Sequence, residues 1–201
     1  VTIRMVIASH NANKVREIRQ ILGDLGFDVV SAAEFPEVPE VEEDGVTFAE
    51  NALKKARTVA EALGELTLAD DSGLEVDALG GRPGVYSARY AGEPKSDAGN
   101  NAKLLRELAG VPPEQRCAQF RCVMALVYPN GCEQVFEGIC RGCIASEPRG
   151  DTGFGYDPLF VVPEHGKTMA ELGQTIKNCI SHRSKALEQL KDALGKMEQS
   201  S

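Results

Sequence analysis

The apolar positions of this chain fall into short segments of distinct period. Ile3 to Ala8 is a run of the kind that forms a strand buried on both faces. It breaks at Ser9-His10-Asn11-Ala12-Asn13, where serine and asparagine suit the cap of a following helix. Val15, Ile18, Ile21, Leu22 and Leu25 then recur at helical spacing, with Gly23 and Gly26 near the end. A strand over about 28–31 completes a β-turn-α-β opening. In the next stretch, Glu37 to Gly45, five of nine residues are acidic and Pro39 interrupts, which predicts a loop. From Thr47 a helix is expected to about Leu63, opened by Thr47 with Glu50 three residues on. Leu66 to Ala69 reads as a short strand ending at Asp70-Asp71-Ser72-Gly73.

The second half mixes periods. Residues 80–101 carry no regular pattern, and Ala102 to Leu108 predicts a helix stopped by Gly110 and the prolines at 112 and 113. Residues 117–128 and 133–145 predict an antiparallel pair turning at Pro129-Asn130-Gly131, since Asn-Gly favours hairpins. A glycine-rich loop (150–155), a strand (158–162) and a helix from about Ser181 to Leu194 close the chain. There is no internal repeat. The pattern predicts one α/β domain over 1–201 with an antiparallel component.

Composition narrows the classes. At 42% hydrophobic and 26% charged residues, wholesale disorder is excluded. The longest apolar run, Cys122 to Tyr128, is far short of the roughly 18 residues of a membrane helix. The first residues lack the pattern of a signal peptide, and a cytoplasmic location is expected. A formal charge of −8 disfavours a nucleic-acid polymer as partner. A small polyanion stays open, because a few cations in one pocket override the average. Six cysteines in a chain of this length read as reduced thiols.

Four segments carry candidate chemistry. Ser9 to Lys14 joins a strand to a helix, where backbone N–H groups and a lysine suit an anion; it also reads as an ordinary capped turn. The carboxylates of Glu42-Glu43-Asp44 and Asp70-Asp71 suit Mg²⁺ or proton abstraction from water, and equally a solvated loop and a strand-end turn. In Gly150 to Pro158, Phe154 and Tyr156 could hold an aromatic ring or pack inward. Lys177 to Arg183 puts His182 and Arg183 in the first turn of a helix, where cations are disfavoured unless an acceptor-rich partner is near; otherwise it is a solvated basic turn. Cys140, Cys143, Cys179 and His182 form a nominal zinc set, but Cys140 and Cys143 are three apart in an expected strand and so point to opposite faces.

In order, Ala-Ser-His-Asn-Ala-Asn-Lys (8–14), Thr-Phe-Ala-Glu-Asn-Ala-Leu-Lys-Lys-Ala (47–56), Ala-Asp-Asp-Ser-Gly-Leu (69–74), Gly-Val-Tyr-Ser-Ala-Arg-Tyr (84–90), Gly-Phe-Gly-Tyr-Asp-Pro (153–158) and Ile-Ser-His-Arg (180–183) closely resemble the inosine triphosphate pyrophosphatase family. The resemblance covers about residues 3–194. It implies an elongated mixed α/β sheet with flanking helices in two lobes, an active-site cleft between the lobes, and a homodimer. It also implies Mg²⁺-dependent hydrolysis of ITP, dITP and XTP to the monophosphate and pyrophosphate. Ser9, His10, Asn11, Ala12, Asn13 and Lys14 match the triphosphate loop, with Ser9, Asn11 and Lys14 as contacts, and Lys55 matches a second phosphate-facing lysine. Glu43, next to Glu42, matches a metal carboxylate. Asp71 matches the proton acceptor and second metal ligand, and Ser72 a substrate contact. Phe154, Gly155, Tyr156, Asp157, Lys177, His182 and Arg183 match the base pocket. His10 departs from the glycine of many relatives, and Cys179 places a thiol inside a base-pocket motif. The rival readings are a non-catalytic nucleotide-binding module and cleavage at the γ-phosphate.

Overall fold

A computed structural model describes residues 3–23 and 26–198; Leu25, expected to extend the first helical stripe, lies outside the described residues. Strand β1 (Ile3–Ile7) leads into helix α1 (Ala12–Leu22) and strand β2 (Phe27–Ser31). β1 and β2 pair in parallel from Ile3↔Phe27 to Ile7↔Ser31. Parallel neighbours need a crossover, and α1 supplies it, with Val15, Ile18 and Leu22 buried. Helix α2 (Phe48–Leu63) then leads to strand β3 (Leu66–Val76), which pairs in parallel with β1 from Met5↔Leu66 to Ile7↔Leu68. The Thr47 hydroxyl caps α2 by accepting from the Glu50 amide at 3.1 Å. The Glu50 carboxylate accepts from the Val46 amide at 2.8 Å, one residue before the expected partner.

Helix α3 (Asp97–Glu107) starts five residues before the expected Ala102, because Ser96 caps it by accepting from the Gly99 amide at 3.1 Å. Strands β4 (Cys117–Val127) and β5 (Glu133–Ile144) turn where Asn-Gly predicts, with the Gly131 amide donating to the Tyr128 carbonyl at 2.9 Å. β6 (Phe160–Val162) and β7 (Lys167–Thr168) follow, antiparallel to β5 and β6 respectively. Helices α4 (Met169–Ile180) and α5 (His182–Glu198) end the described chain.

Two expectations are corrected. β3 does not end at Ala69 but runs through Asp70-Asp71-Ser72-Gly73 to Val76. In the sheet it lies between β1, which pairs with it only as far as Leu68, and β4, and its place in the sheet outweighs the local turn preference of those residues. The basic segment Lys177-Asn178-Cys179 is not a turn before the last helix but the last part of α4. That helix opens on a capping box between Thr168 and Glu171 and is interrupted at Gly173, φ 78°, which breaks the apolar stripe that would have announced it.

The strands form one mixed seven-stranded sheet in the order β2-β1-β3-β4-β5-β6-β7. By contact the chain divides into two compact units. The first takes residues through Asp71, Cys122–Gly138 and Arg183 onward; the second takes Ser72–Arg121 and Ile139–His182. Each has its own apolar cluster. The first is built around Met5, Ile18, Leu68, Met124 and Leu187, the second around Leu74, Leu104, Phe120, Leu159 and Phe160. Among the described residues no helix is long and apolar enough to cross a membrane.

Candidate active site

β1 lies between β2 and β3, and the chain leaves its carboxyl end toward one neighbour while the other neighbour arrives later. This makes a switch point, and open α/β sheets bind ligands outside the carboxyl ends of strands at such points. Ser9 to Lys14 issues from that end of β1. Asp70 and Asp71 stand in β3 just past Leu68, the last residue that pairs with β1.

Within the first unit these residues meet. The Asn11 side chain caps α1 by accepting from the amides of Asn13 at 3.0 Å and Lys14 at 3.3 Å, and the Ser9 hydroxyl accepts from the Asn11 amide at 3.1 Å. Ser9 and Asn11, both expected to meet phosphate, thus also shape the loop through their side-chain oxygens. His10 is exposed, Ala12 opens α1, and Asn13 accepts from Arg16 at 3.0 Å. Lys14 Nζ lies 2.8 Å from Asp70 Oδ1. Lys55 Nζ pairs with Glu43, donates to the Asp70 carbonyl at 2.7 Å and lies 3.9 Å from Asp71 Oδ1. Glu42, the alternative to Glu43, is exposed.

Side chains alternate across a strand, so consecutive aspartates of β3 enter different surroundings. Asp70, 1% exposed, faces Lys14 and also the Arg183 guanidinium, whose Nη2 donates to it at 3.0 Å. Asp71 accepts instead from Asn51 Nδ2 at 3.0 Å, and Asn51 accepts from the Gly45 amide at 2.8 Å, tying the acidic loop to the same carboxylate. Burial works against the charge of Asp70, but Lys14, Arg183 and Lys55 outweigh it and hold the carboxyl well below the usual range. Burial likewise opposes the charge of Lys14, and Asp70 more than offsets it, so the ammonium is favoured. At Asp71 burial dominates. Lys55 and Lys14 oppose it only in part, Glu43 adds to it, and the carboxyl is raised above its ordinary value. The two neighbouring carboxylates are thus pushed in opposite directions, Asp70 toward the ionised form and Asp71 toward a more basic carboxyl, the pattern by which acid and base roles are separated in catalytic pairs.

The residues matched to the base pocket divide between the two units. In the second unit, Asp157 Oδ2 accepts from the Phe154 amide at 3.0 Å and from Lys177 Nζ at 2.6 Å, and that ammonium lies 4.4 Å from the Phe154 ring centroid. Gly153 has φ 80°, and a Cβ there would sit 2.1 Å from Asp157 Oδ2, so the turn admits only glycine. The Tyr156 hydroxyl donates to the Ser87 carbonyl at 2.7 Å, placing this ring inward rather than beside an open face. His182 stacks on Phe120 with centroids 4.8 Å apart. Arg183, expected with Lys177, is placed in the first unit: it is 1% exposed and forks between Glu17 and Asp70, because two buried carboxylates attract a planar guanidinium strongly. Ser72 follows Asp71 in β3 and is half-buried.

Glu43 and Asp71 both lie beside the Lys55 ammonium, the first paired with it and the second 3.9 Å away. Mg²⁺ takes one or two carboxylates with water and phosphate completing its shell, and this donor set fits it. The zinc set is not assembled: Cys140 is buried, Cys179 is exposed, and among the described residues no three His, Cys, Asp or Glu side chains are grouped as a metal site.

The Ham1 family model matches residues 5–193. The chain belongs to the Ham1 family. It is 57% identical to a dITP/XTP pyrophosphatase of Desulforamulus reducens, over 97% of both chains, and 58% identical to one of Geobacter sulfurreducens, over 96% of both. Among solved structures, a HAM1 protein from Coxiella burnetii superposes with a TM-score of 0.89 at 46% identity, over 97% of this chain and 100% of that one. Two further residues touch the candidate site of this Ham1 chain without being marked by a motif of their own. Asn51 stands one helical turn before Lys55, and Glu17 three residues after Lys14, so both lie on the faces of residues already singled out.

Proposed function

We propose that the chain hydrolyses non-canonical purine nucleoside triphosphates, dITP, ITP and XTP, to the monophosphate and pyrophosphate. The observation that carries this reading is the first unit's cluster: a fixed Asp70 charge and a more basic Asp71, in the middle of β3, beside two lysines and the loop that leaves the carboxyl end of β1. The names of the relatives point the same way. The triphosphate is assigned to the Ser9–Lys14 loop and Lys55, the base to Phe154, Lys177 and the backbone of their turn.

Lys14 and Lys55 offset phosphate charge, which in phosphoryl transfer supplies much of the catalysis. Asp71, fixed through one oxygen by Asn51, accepts a proton from a water whose oxygen bonds to the α-phosphorus. The bond from that phosphorus to the bridging oxygen breaks, and the electron pair leaves with pyrophosphate. Glu43 and Asp71 would hold Mg²⁺, which when bound supplies further charge neutralisation at phosphate oxygens. At the base, donors such as the Lys177 ammonium suit the 6-keto oxygen of hypoxanthine or xanthine; adenine presents a donor there, and a donor facing a donor is strongly rejected. The chain is assigned as a homodimer from the resemblance, which light scattering tests.

Pyrophosphate release from dITP, XTP and ATP, with and without Mg²⁺, tests the reading. Release from dITP and XTP in far excess over ATP is expected, with Asp71→Asn inactive and folded. Equal rates on ATP overturn the base assignment, orthophosphate as first product moves the cut to the γ-phosphate, and an active Asp71→Asn removes the proton acceptor.

A further inference from the structure

Helix α3 contributes nothing to the candidate site by motif, yet it grips the aromatic turn at one residue. Asp97 and Asn101 are four apart and share a helix face. Asp97 Oδ2 accepts from the Gly155 amide at 2.8 Å, and Asn101 Nδ2 donates to the Gly155 carbonyl at 2.9 Å. Both backbone polar groups of one residue are therefore held by one face of one helix. Gly155 has φ 63°, and a Cβ built there meets nothing within 4 Å, so glycine is required by the backbone conformation and not by crowding. That conformation needs holding, because glycine has more alternatives to it than any other residue.

The helix is itself anchored. Leu104 is fully buried, and the Asn100 side chain accepts from the Ala91 amide at 2.7 Å and donates to the Ala88 carbonyl at 3.1 Å. The turn is thus fixed on one side by α3 through Gly155 and on the other by Asp157 and Lys177 through the Phe154 amide and ring. The geometry points to Asp97 and Asn101 as positioning residues for base recognition: they set the Phe154–Asp157 turn so that the Phe154 ring and the Lys177 ammonium meet the purine together. This rests on the proposed reading of that turn as the base subsite.

The test uses purified full-length Asp97→Ala, Asn101→Ala and Asp97→Asn, with thermal melts to establish folding. Displacements of about 1 Å at a binding group cost up to about a hundredfold, so Asp97→Ala is expected to raise KM for dITP about tenfold and shrink the preference for dITP over ATP, with kcat changed less than about twofold. Asn101→Ala should do the same more weakly. Asp97→Asn keeps an acceptor for the Gly155 amide and should restore KM to within about twofold of the parent. Inorganic tripolyphosphate has no base, and its inhibition constant should be the same for all four proteins. Folded alanine variants with the parent's KM and base preference overturn the inference, as does a tripolyphosphate constant that rises in step with KM. Failure of the parent to release pyrophosphate from dITP refutes the proposed function instead, so the two failures are distinct.

Discussion

Asp70 and Asp71 are neighbours in sequence with carboxyls shifted in opposite directions, and what separates them is the cation each can reach. Asp70 faces Lys14 and Arg183 and stays ionised; Asp71 faces an amide and a more distant Lys55, and burial prevails. Arg183 holds Asp70 and Glu17 at once, with all three side chains nearly inaccessible. Removing one partner of such a pair leaves buried charge uncompensated, so Arg183→Met should cost about 3–5 kcal/mol in urea unfolding. A loss below about 1 kcal/mol would mean that the guanidinium is not what keeps those carboxylates buried. A second residue-scale effect concerns pH. Burial, then the Glu107 carboxylate that accepts its proton at 2.5 Å, pushes the Tyr90 hydroxyl up to about 12. Its folded pKa lies above the unfolded value of about 10, so its contribution is full below pH 10 and is lost as pH rises through about 12. Tyr90→Phe should melt lower than the parent at roughly pH 7 to 9, and the gap should close over that higher window. A gap that does not change with pH would assign the difference to packing.

At the scale of elements, the acidic loop is held to α2 by a contact that leaves no room for a methyl group. A Cβ on Gly45 would lie 2.6 Å from Asn51 Oδ1 and 2.9 Å from Glu50 Cβ, and Asn51 is also what fixes Asp71. Gly45→Ala should therefore shift Glu43 and Asn51 together, lowering kcat/KM about tenfold or more while the melting temperature moves by only a few degrees. Unchanged pyrophosphate release in a folded Gly45→Ala protein would show that the loop does not need this registry. The elements that the sequence announced are those whose apolar face is regular: β1, α1, α2 and the β4–β5 hairpin carry their period in plain view. What stayed hidden is where tertiary pairing overrides local preference. β3 continues through Asp-Asp-Ser-Gly as a strand of the sheet beyond Leu68, where its pairing with β1 ends and β4 is its other neighbour, and no residue pattern within 70–73 records that neighbour. α4 escaped because Gly173 divides it into two pieces, each too short to show a stripe. The candidate site was legible where a motif is contiguous, as in Ser9 to Lys14 and Phe154 to Asp157. It was not legible for Arg183, which the motif places beside His182 while its guanidinium reaches Asp70, 113 residues earlier. Asn51, Glu17, Asp97 and Asn101 were missed for the same reason: each acts through a contact distant in sequence, and only helical spacing hints at it.

The molecule as a whole carries a formal charge of −8 and six thiols. The net charge is not spread evenly, since Asp70 and Glu17 are buried with cations while Glu37, Glu40, Glu42 and Asp44 are exposed on one loop. The thiols divide in a similar way. Cys117, Cys132 and Cys179 are exposed, Cys143 is half-buried, and Cys122 and Cys140 lie in the two apolar clusters. Reaction with a disulfide reagent requires both access and thiolate. Cys122 has neither: it is fully buried, and burial followed by the nearby Asp70 charge, with Sγ 3.5 Å from Oδ2, pushes its thiol well above the ordinary range. Native protein treated with a thiol-reactive aromatic disulfide should therefore show three fast additions by intact mass, a slower fourth at Cys143, and the last two only in denaturant. Because the fast three are exposed and outside both apolar clusters, parent protein carrying them should still melt cooperatively. Early labelling of Cys122 would instead mean that the cluster under Asp70 opens readily, and the fixed charge assigned to that carboxylate would then lack the dry surroundings on which its contrast with Asp71 depends.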